Sequence, residues 1–262
     1  MKRVLTALVL APAVVALTIW APPSLFAALV AALAVLAVLE FYALAAQLQA
    51  KPYRWLGAIA TAAVVLHLEL APAKVIVPLV AALLAFLLRA LFRPDRSSSS
   101  FADAGSTTLG FLYLGLLLGL TGALRTLWGA RWLLFLLAAV WAGDVAALYV
   151  GKLLGRHKMA PRVSPGKTWE GAAGSFVVAG LVGLGFGFWF QHQPLRFLFL
   201  GLAINVAAQF GDLAESLLKR AAGAKDSGAL LPGHGGVLDR IDAMLFAAPV
   251  LWFYLLHAAP FH

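Results

Sequence analysis

The chain has 262 residues, 63% of them hydrophobic and 12% charged, with a formal net charge of +9 and no cysteine. A soluble domain carries roughly 25% charged residues, so the composition excludes an ordinary soluble globule. The missing thiols exclude disulfides, thiolate nucleophiles and Cys-based zinc or iron–sulfur centres.

The apolar residues fall in runs of about 20, the length that crosses roughly 30 Å of hydrocarbon. They are rich in Ala and Leu and do not alternate with polar residues, which argues against a β-barrel. The expected class is an all-α, polytopic integral membrane protein with a polar cavity facing the cytoplasm. Lys2 and Arg3 before an apolar run resemble a secretory signal, but Ala21-Pro-Pro is followed at once by a second apolar segment, so the first run is read as a retained span. Nine spans are expected: Val4–Trp20, Leu25–Gln47, Trp55–Leu70, Lys74–Phe92, Thr107–Leu124, Trp132–Leu154, Gly171–Phe190, Arg196–Leu218 and Ile241–His257. The short third span could pair with the fourth as a re-entrant hairpin. Arg93-Pro-Asp-Arg-Ser-Ser-Ser-Ser100 reads as a polar linker. The division expected is an N-terminal membrane region over 1–106 and a C-terminal catalytic region over 107–262.

With the N-terminus placed in the cytoplasm, 16 of the 20 basic residues lie on that side and four on the other. This asymmetry orients the chain. It also explains the net charge without nucleic acid, because cations gather at anionic headgroups. The glycines at 180, 183, 185 and 187 read as a surface for close helix packing.

Several polar residues interrupt the spans. Asp144 lies midway along the sixth, where an unpaired carboxylate costs at least ~2.5–3.5 kcal/mol, so pairing or function is the default. On the eighth, Asn205, Gln209, Asp212, Ser216 and Lys219 share one helical face and define a polar stripe, with Glu215 beside it. A hydrogen-bonded seam between helices is the structural alternative. Asp239 and Asp242 are three apart at the start of the ninth span. They suit either helix capping or, beside the stripe, a hard cation with oxygen ligands. Glu40, His67 and Glu69 belong to no constellation and read as snorkelling or structurally paired groups.

Two loops carry phosphate-binding character. Pro161-Arg-Val-Ser-Pro-Gly-Lys-Thr168 contains Gly-Lys-Thr, but Pro161 stands where a P-loop needs glycine and no strand is expected before it, so a Walker site is rejected. Ser164, Lys167 and Thr168 still precede a helix, whose N-terminus favours anions. The later loop holds Lys219, Arg220 and Lys225 to neutralise polyphosphate, and Gly233, Gly235 and Gly236 for close approach of backbone amides, with His234 between them.

Ser216-x-x-Lys219-Arg220-x4-Lys225-Asp226-x-Gly228-x3-Pro232-Gly-His-Gly-Gly236-x-x-Asp239-Arg-x-Asp242 resembles the signature of phosphatidate cytidylyltransferases, also called CDP-diacylglycerol synthases. The block from Asp144 through Gly151-Lys-x-x-Gly155 to Ser164-Pro-Gly-Lys-Thr-Trp-Glu170-Gly is similar to that family's preceding cytoplasmic segment. Val145, Ala146, Leu148 and Ala243 depart from its usual pattern without removing a charged group.

The resemblance implies transfer of a cytidylyl group from CTP to phosphatidic acid, giving CDP-diacylglycerol and pyrophosphate. It implies Mg2+ on Asp212 and Asp239, supported by Asp144, Asp226 and Asp242. Lys219 and Asp226 would act at the reacting groups. Ser164, Lys167, Thr168, Ser216, Arg220, Lys225, His234, Gly235, Gly236 and Arg240 would contact substrate. The partners implied are CTP, phosphatidic acid and membrane lipids, in a bacterial inner membrane with the site on the cytoplasmic side. A second cation and a homodimer are compatible with the sequence. The competing readings are a CTP-dependent lipid-alcohol kinase and an ion-coupled transporter relaying through Asp144 and Asp212; the second leaves the glycine and Lys-Asp clusters unexplained.

Overall fold

A computed structural model of the chain describes residues 2–92, 99–190, 193–228 and 235–257. The helices in order are α1 (Lys2–Trp20), α2 (Pro23–Gln47), α3 (Arg54–Leu70), α4 (Ile76–Leu91), α5 (Ser99–Gly110), α6 (Leu117–Trp128), α7 (Ala130–Leu154), α8 (Trp169–Trp189), α9 (Pro194–Ala221) and α10 (Asp242–His257). A π-helical segment, Phe111–Leu116, joins α5 to α6 as one run from Ser99 to Trp128. Six helical runs among the described residues are long and apolar enough to cross a membrane. The spans are therefore all-α; α1, α3 and α10, which fall on three of the nine expected spans, are not among these six.

Two expectations need correction. The fifth span begins at Ser99 rather than Thr107, so Ser99 and Ser100 belong to a helix and not to the linker; residues 93–98 lie outside the described residues. The polar start of α5 is stable because its polar groups are satisfied locally. The Ser106, Thr107 and Thr108 hydroxyls donate to carbonyls three or four residues back, and the buried Asp103 accepts from the Lys51 amide at 2.6 Å. The second correction is a strand pair where none was expected. β1 (Lys158–Ala160) and β2 (Ser164–Thr168) form an antiparallel hairpin with Lys158 opposite Thr168 and Ala160 opposite Ser164. Pro161 and Pro165 disfavour a helix there. Glu170 closes the base, accepting from the amide of Arg156 at 3.1 Å and meeting His157 Nδ1 at 2.6 Å.

The chain divides into two compact units, Met1–Ala130 with Leu218–Ile241, and Arg131–Leu217 with Asp242–His262. In the first, α2 is the central element: Ala34, Ala37, Val38, Phe41 and Tyr42 are buried, and the Tyr42 hydroxyl donates to the Thr107 carbonyl at 2.9 Å. The Arg125 guanidinium satisfies the end of α1, donating to the carbonyls of Thr18 at 2.6 Å and Ala21. Much of α4 is exposed and apolar, as a lipid-facing helix must be.

In the second unit an aromatic cluster of Trp132, Phe135, Phe186, Phe190, Phe197 and Tyr254 fills one end. The glycine surface packs helices as expected. A Cβ at Gly183 would run into the Phe197 backbone and come within 3.3 Å of Gly201 Cα, so α8 and α9 touch backbone to backbone. Gly185 differs, with nothing within 4 Å of such a Cβ.

Candidate active site

The polar stripe of α9 divides into two parts. Its upper members form the hydrogen-bonded seam considered above. Asn205 donates to Ser175 Oγ at 2.7 Å, while Gln209 donates to Asn205 Oδ1 at 2.6 Å and to the Ala172 carbonyl at 3.3 Å. Gly143 makes room for this seam, because a Cβ there would lie 2.6 Å from Asn205 Nδ2. Below them Asp212 meets the hairpin. Lys167 Nζ lies 2.7 Å from Asp212 Oδ2 and donates to the Gln209 carbonyl at 3.4 Å, and Ser216 Oγ donates to Asp212 Oδ1 at 3.3 Å.

Asp144 of α7 is exposed although its helix is apolar, and it is within electrostatic reach of both Asp212 and Lys167. Asp242 opens α10 and accepts from the Ala243 amide at 2.8 Å. Gly211, next to Asp212, lets that first turn close on α9: a Cβ there would stand 2.5 Å from the Asp242 carbonyl oxygen. The second unit thus brings Asp144, Asp212, Lys167 and Ser216 together, with the backbone of Asp242 against Gly211. Thr168 is the N-cap of α8, accepting from the Gly171 amide at 3.1 Å. Ser164 stands at the other end of β2. On the opposite side of α9 lies an apolar groove of about 850 Å³, lined by Val206, Phe210, Leu217, Phe246 and Val250 among others.

The first unit holds a second group. α9 ends in a left-handed turn at Gly223, with φ +68°, which glycine adopts without strain. Arg220 Nη1 donates to the Ala224 carbonyl at 3.1 Å across this turn. Lys219, one residue earlier, pairs with Asp239 Oδ1 at 2.5 Å, and both side chains are nearly buried. The other oxygen, Asp239 Oδ2, accepts from the Ser227 amide at 3.0 Å, Ser227 Oγ at 3.0 Å and the Gly236 amide at 2.7 Å. Gly235 takes φ +80° to turn the chain here. Lys225, Asp226 and Arg240 are exposed. His234 and Gly233 lie outside the described residues.

Glu40 is the residue that sequence reasoning missed. It is 6% exposed and belongs to a constellation after all. Its Oε2 accepts from Ser227 Oγ at 2.9 Å and the Leu238 amide at 3.0 Å, and its Oε1 from the Val237 amide at 3.0 Å. The available signal was a carboxylate inside an Ala- and Leu-rich span, which carries the same default of function or pairing as Asp144. Glu69 is structural, as expected, and accepts from Thr126 Oγ1 at 2.6 Å. His67 Nδ1 bonds the Ala63 carbonyl of its own helix at 2.8 Å.

Asp144 and Asp212 fit a hard divalent cation in kind, being oxygen donors held near one another. Among the described residues no group of three His, Asp or Glu side chains could enclose a metal. Magnesium commonly takes one or two carboxylates and completes its shell with phosphate and water. Asp239 is otherwise engaged, since Lys219 and three further donors occupy its oxygens.

The sequence profile of the cytidylyltransferase family matches residues 1–258. A phosphatidate cytidylyltransferase of Bacillus subtilis is 39% identical over 165 residues, 61% of each chain. One from Brucella suis is 47% identical over 134 residues, 48% of this chain and 47% of its own. A third, from Synechocystis, is 35% identical over 214 residues, 70% of this chain and 71% of its own. The chain thus spans between about half and seven tenths of the length of these curated relatives.

Proposed function

We infer the reaction from one premise: the chain belongs to the cytidylyltransferase family. On that premise the protein is a membrane enzyme that transfers a cytidylyl group from CTP to phosphatidic acid. A phosphate oxygen of phosphatidic acid attacks the α-phosphorus of CTP, the bond from that phosphorus to the β-phosphate oxygen breaks, and pyrophosphate leaves. No protein nucleophile is required. The match over residues 1–258 carries this reading. The printed names of the Bacillus, Brucella and Synechocystis relatives point the same way.

The residues agree with the chemistry. Lys167 and Lys219 are each held on a carboxylate, so two ammonium groups are pre-positioned to take over phosphate charge. Arg220, Lys225 and Arg240 add exposed or partly engaged cations, and Ser164, Thr168, Ser216, Gly235 and His234 complete the proposed substrate contacts, whereas the Gly236 amide is taken up by Asp239. Magnesium, when bound, would neutralise the polyphosphate. Asp144 and Asp212 would hold it; Asp239, in the first unit, is already engaged by Lys219. The diacylglycerol part is apolar, and the groove on the far face of α9 offers matching chemistry. The N-terminus and the reacting groups are placed at the cytoplasmic face of a bacterial inner membrane, where the excess of Lys and Arg belongs.

Purified protein given CTP labelled at the α-phosphate, phosphatidic acid and Mg2+ should place the label on lipid and release unlabelled pyrophosphate. Chelation should abolish this. Release of labelled CDP, with γ-phosphate appearing on a lipid alcohol, would assign a kinase instead.

A further inference from the structure

Glu40 takes none of its described contacts from its sequence neighbours. It lies on α2, buried, yet all three of its described hydrogen-bond donors come from residues 227–238. Two of them, the amides of Val237 and Leu238, are at the start of the 3₁₀ turn Leu238–Arg240, which contains Asp239. Such amides have no partner within the turn and attract an anion. Here the anion is supplied by a helix nearly 200 residues away.

The third donor, Ser227, links Glu40 to Asp239. Its hydroxyl lies 2.9 Å from Glu40 Oε2 and 3.0 Å from Asp239 Oδ2 and shares its single proton between them, while its amide donates to Asp239 Oδ2 at 3.0 Å. Asp239 in turn holds Lys219. A continuous path therefore runs from Glu40 through Ser227 and Asp239 to the Lys219 ammonium. The glycines support the same reading. A Cβ at Gly228 would lie 2.5 Å from Glu40 Oε1, and one at Gly236 would collide with both Ser227 Oγ and Glu40 Oε2. The Gly236 amide points at Asp239 and not outward. These two glycines of the signature are accounted for by the approach of the backbone to a protein carboxylate.

We propose that Glu40 is a positioning residue: it fixes Ser227 and the Val237–Leu238 amides so that Asp239 presents Lys219 in one orientation to the phosphates. This rests on the cytidylyl-transfer reading above. Glu40→Gln tests it well, because the amide keeps the side chain's size but replaces one acceptor oxygen with a donor. At least one of the three contacts then becomes donor against donor.

Two readouts on the full-length protein decide the matter. In hydrogen exchange the amides of Val237 and Leu238 should exchange about 10–100-fold faster in Glu40→Gln than in wild type. Amides of α7 and α8 should be unchanged. Glu69→Gln, which removes another buried carboxylate of the same unit, should leave Val237 and Leu238 as in wild type. In steady-state assays with CTP, phosphatidic acid and Mg2+, kcat of Glu40→Gln and of Ser227→Ala should fall about 10–100-fold with KM within threefold. The double variant should be no worse than the poorer single one. Unchanged exchange at Val237 and Leu238 overturns the proposal. Faster exchange with full kcat also overturns it, leaving Glu40 a purely structural group. A wild-type protein that transfers no cytidylyl group would refute the proposed reaction, while the exchange result would still decide whether Glu40 holds this turn.

Discussion

Asp212 gathers more of the candidate chemistry than any other residue of the second unit. It receives Ser216 on one oxygen and Lys167 on the other, and Asp144 is in electrostatic reach. Asp212→Asn keeps the shape and removes the charge that would hold both Lys167 and a cation. Turnover should fall at least ~100-fold, with the protein still inserted and monodisperse on size exclusion in detergent. Normal turnover would remove Asp212 from the mechanism. This residue was legible because its partners on α9 follow helical spacing, which a sequence displays directly. Glu40 was not legible, because its partners lie 187 to 198 residues away and no local pattern encodes such a pairing. The stripe itself was only half understood. Asn205 and Gln209 face a neighbouring helix, Asp212 meets the hairpin and Lys219 pairs with Asp239, and spacing alone cannot tell the parts of one stripe apart.

Among the elements, the helices were readable because long apolar runs have one stable form in a bilayer, where every backbone polar group must be satisfied internally. The β1–β2 hairpin was not. Five residues that include Pro165 and Gly166 have no strand signature, and their pairing depends on Glu170 tying down residues 156 and 157. The polar start of α5 was read as linker because serines suggest loops, yet Ser99 and Ser100 begin a helix whose Ser106, Thr107 and Thr108 hydroxyls bond back to its own carbonyls. Glycines in α8 allow a direct test of packing. Gly183→Ala places a methyl against backbone that cannot yield, and should lower the melting temperature by about 3–10 °C in a detergent thermal-shift assay. Gly185→Ala fills open space and should leave it unchanged.

For the whole molecule, the absence of cysteine makes membrane orientation measurable with little background. Single replacements by Cys at Lys74 and Arg131 should react with an impermeant maleimide from outside intact cells. Replacements at Lys51 and Arg156 should react only after the membrane is opened. The reverse pattern would invert the orientation argued from the 16-to-4 division of basic residues.

The pairing of Glu40 with residues 227–238 also sets a timetable. Ribosomes deliver about 5–20 residues per second, so α2 enters the bilayer about 10–40 s before Val237 and Leu238 are made. Through that interval a carboxylate bears its desolvation cost of roughly 2.5–3.5 kcal/mol without the amides that offset it. The Glu40 pairing can therefore form only after residues 227–238 have been made, which sets it among the last contacts of the fold to close.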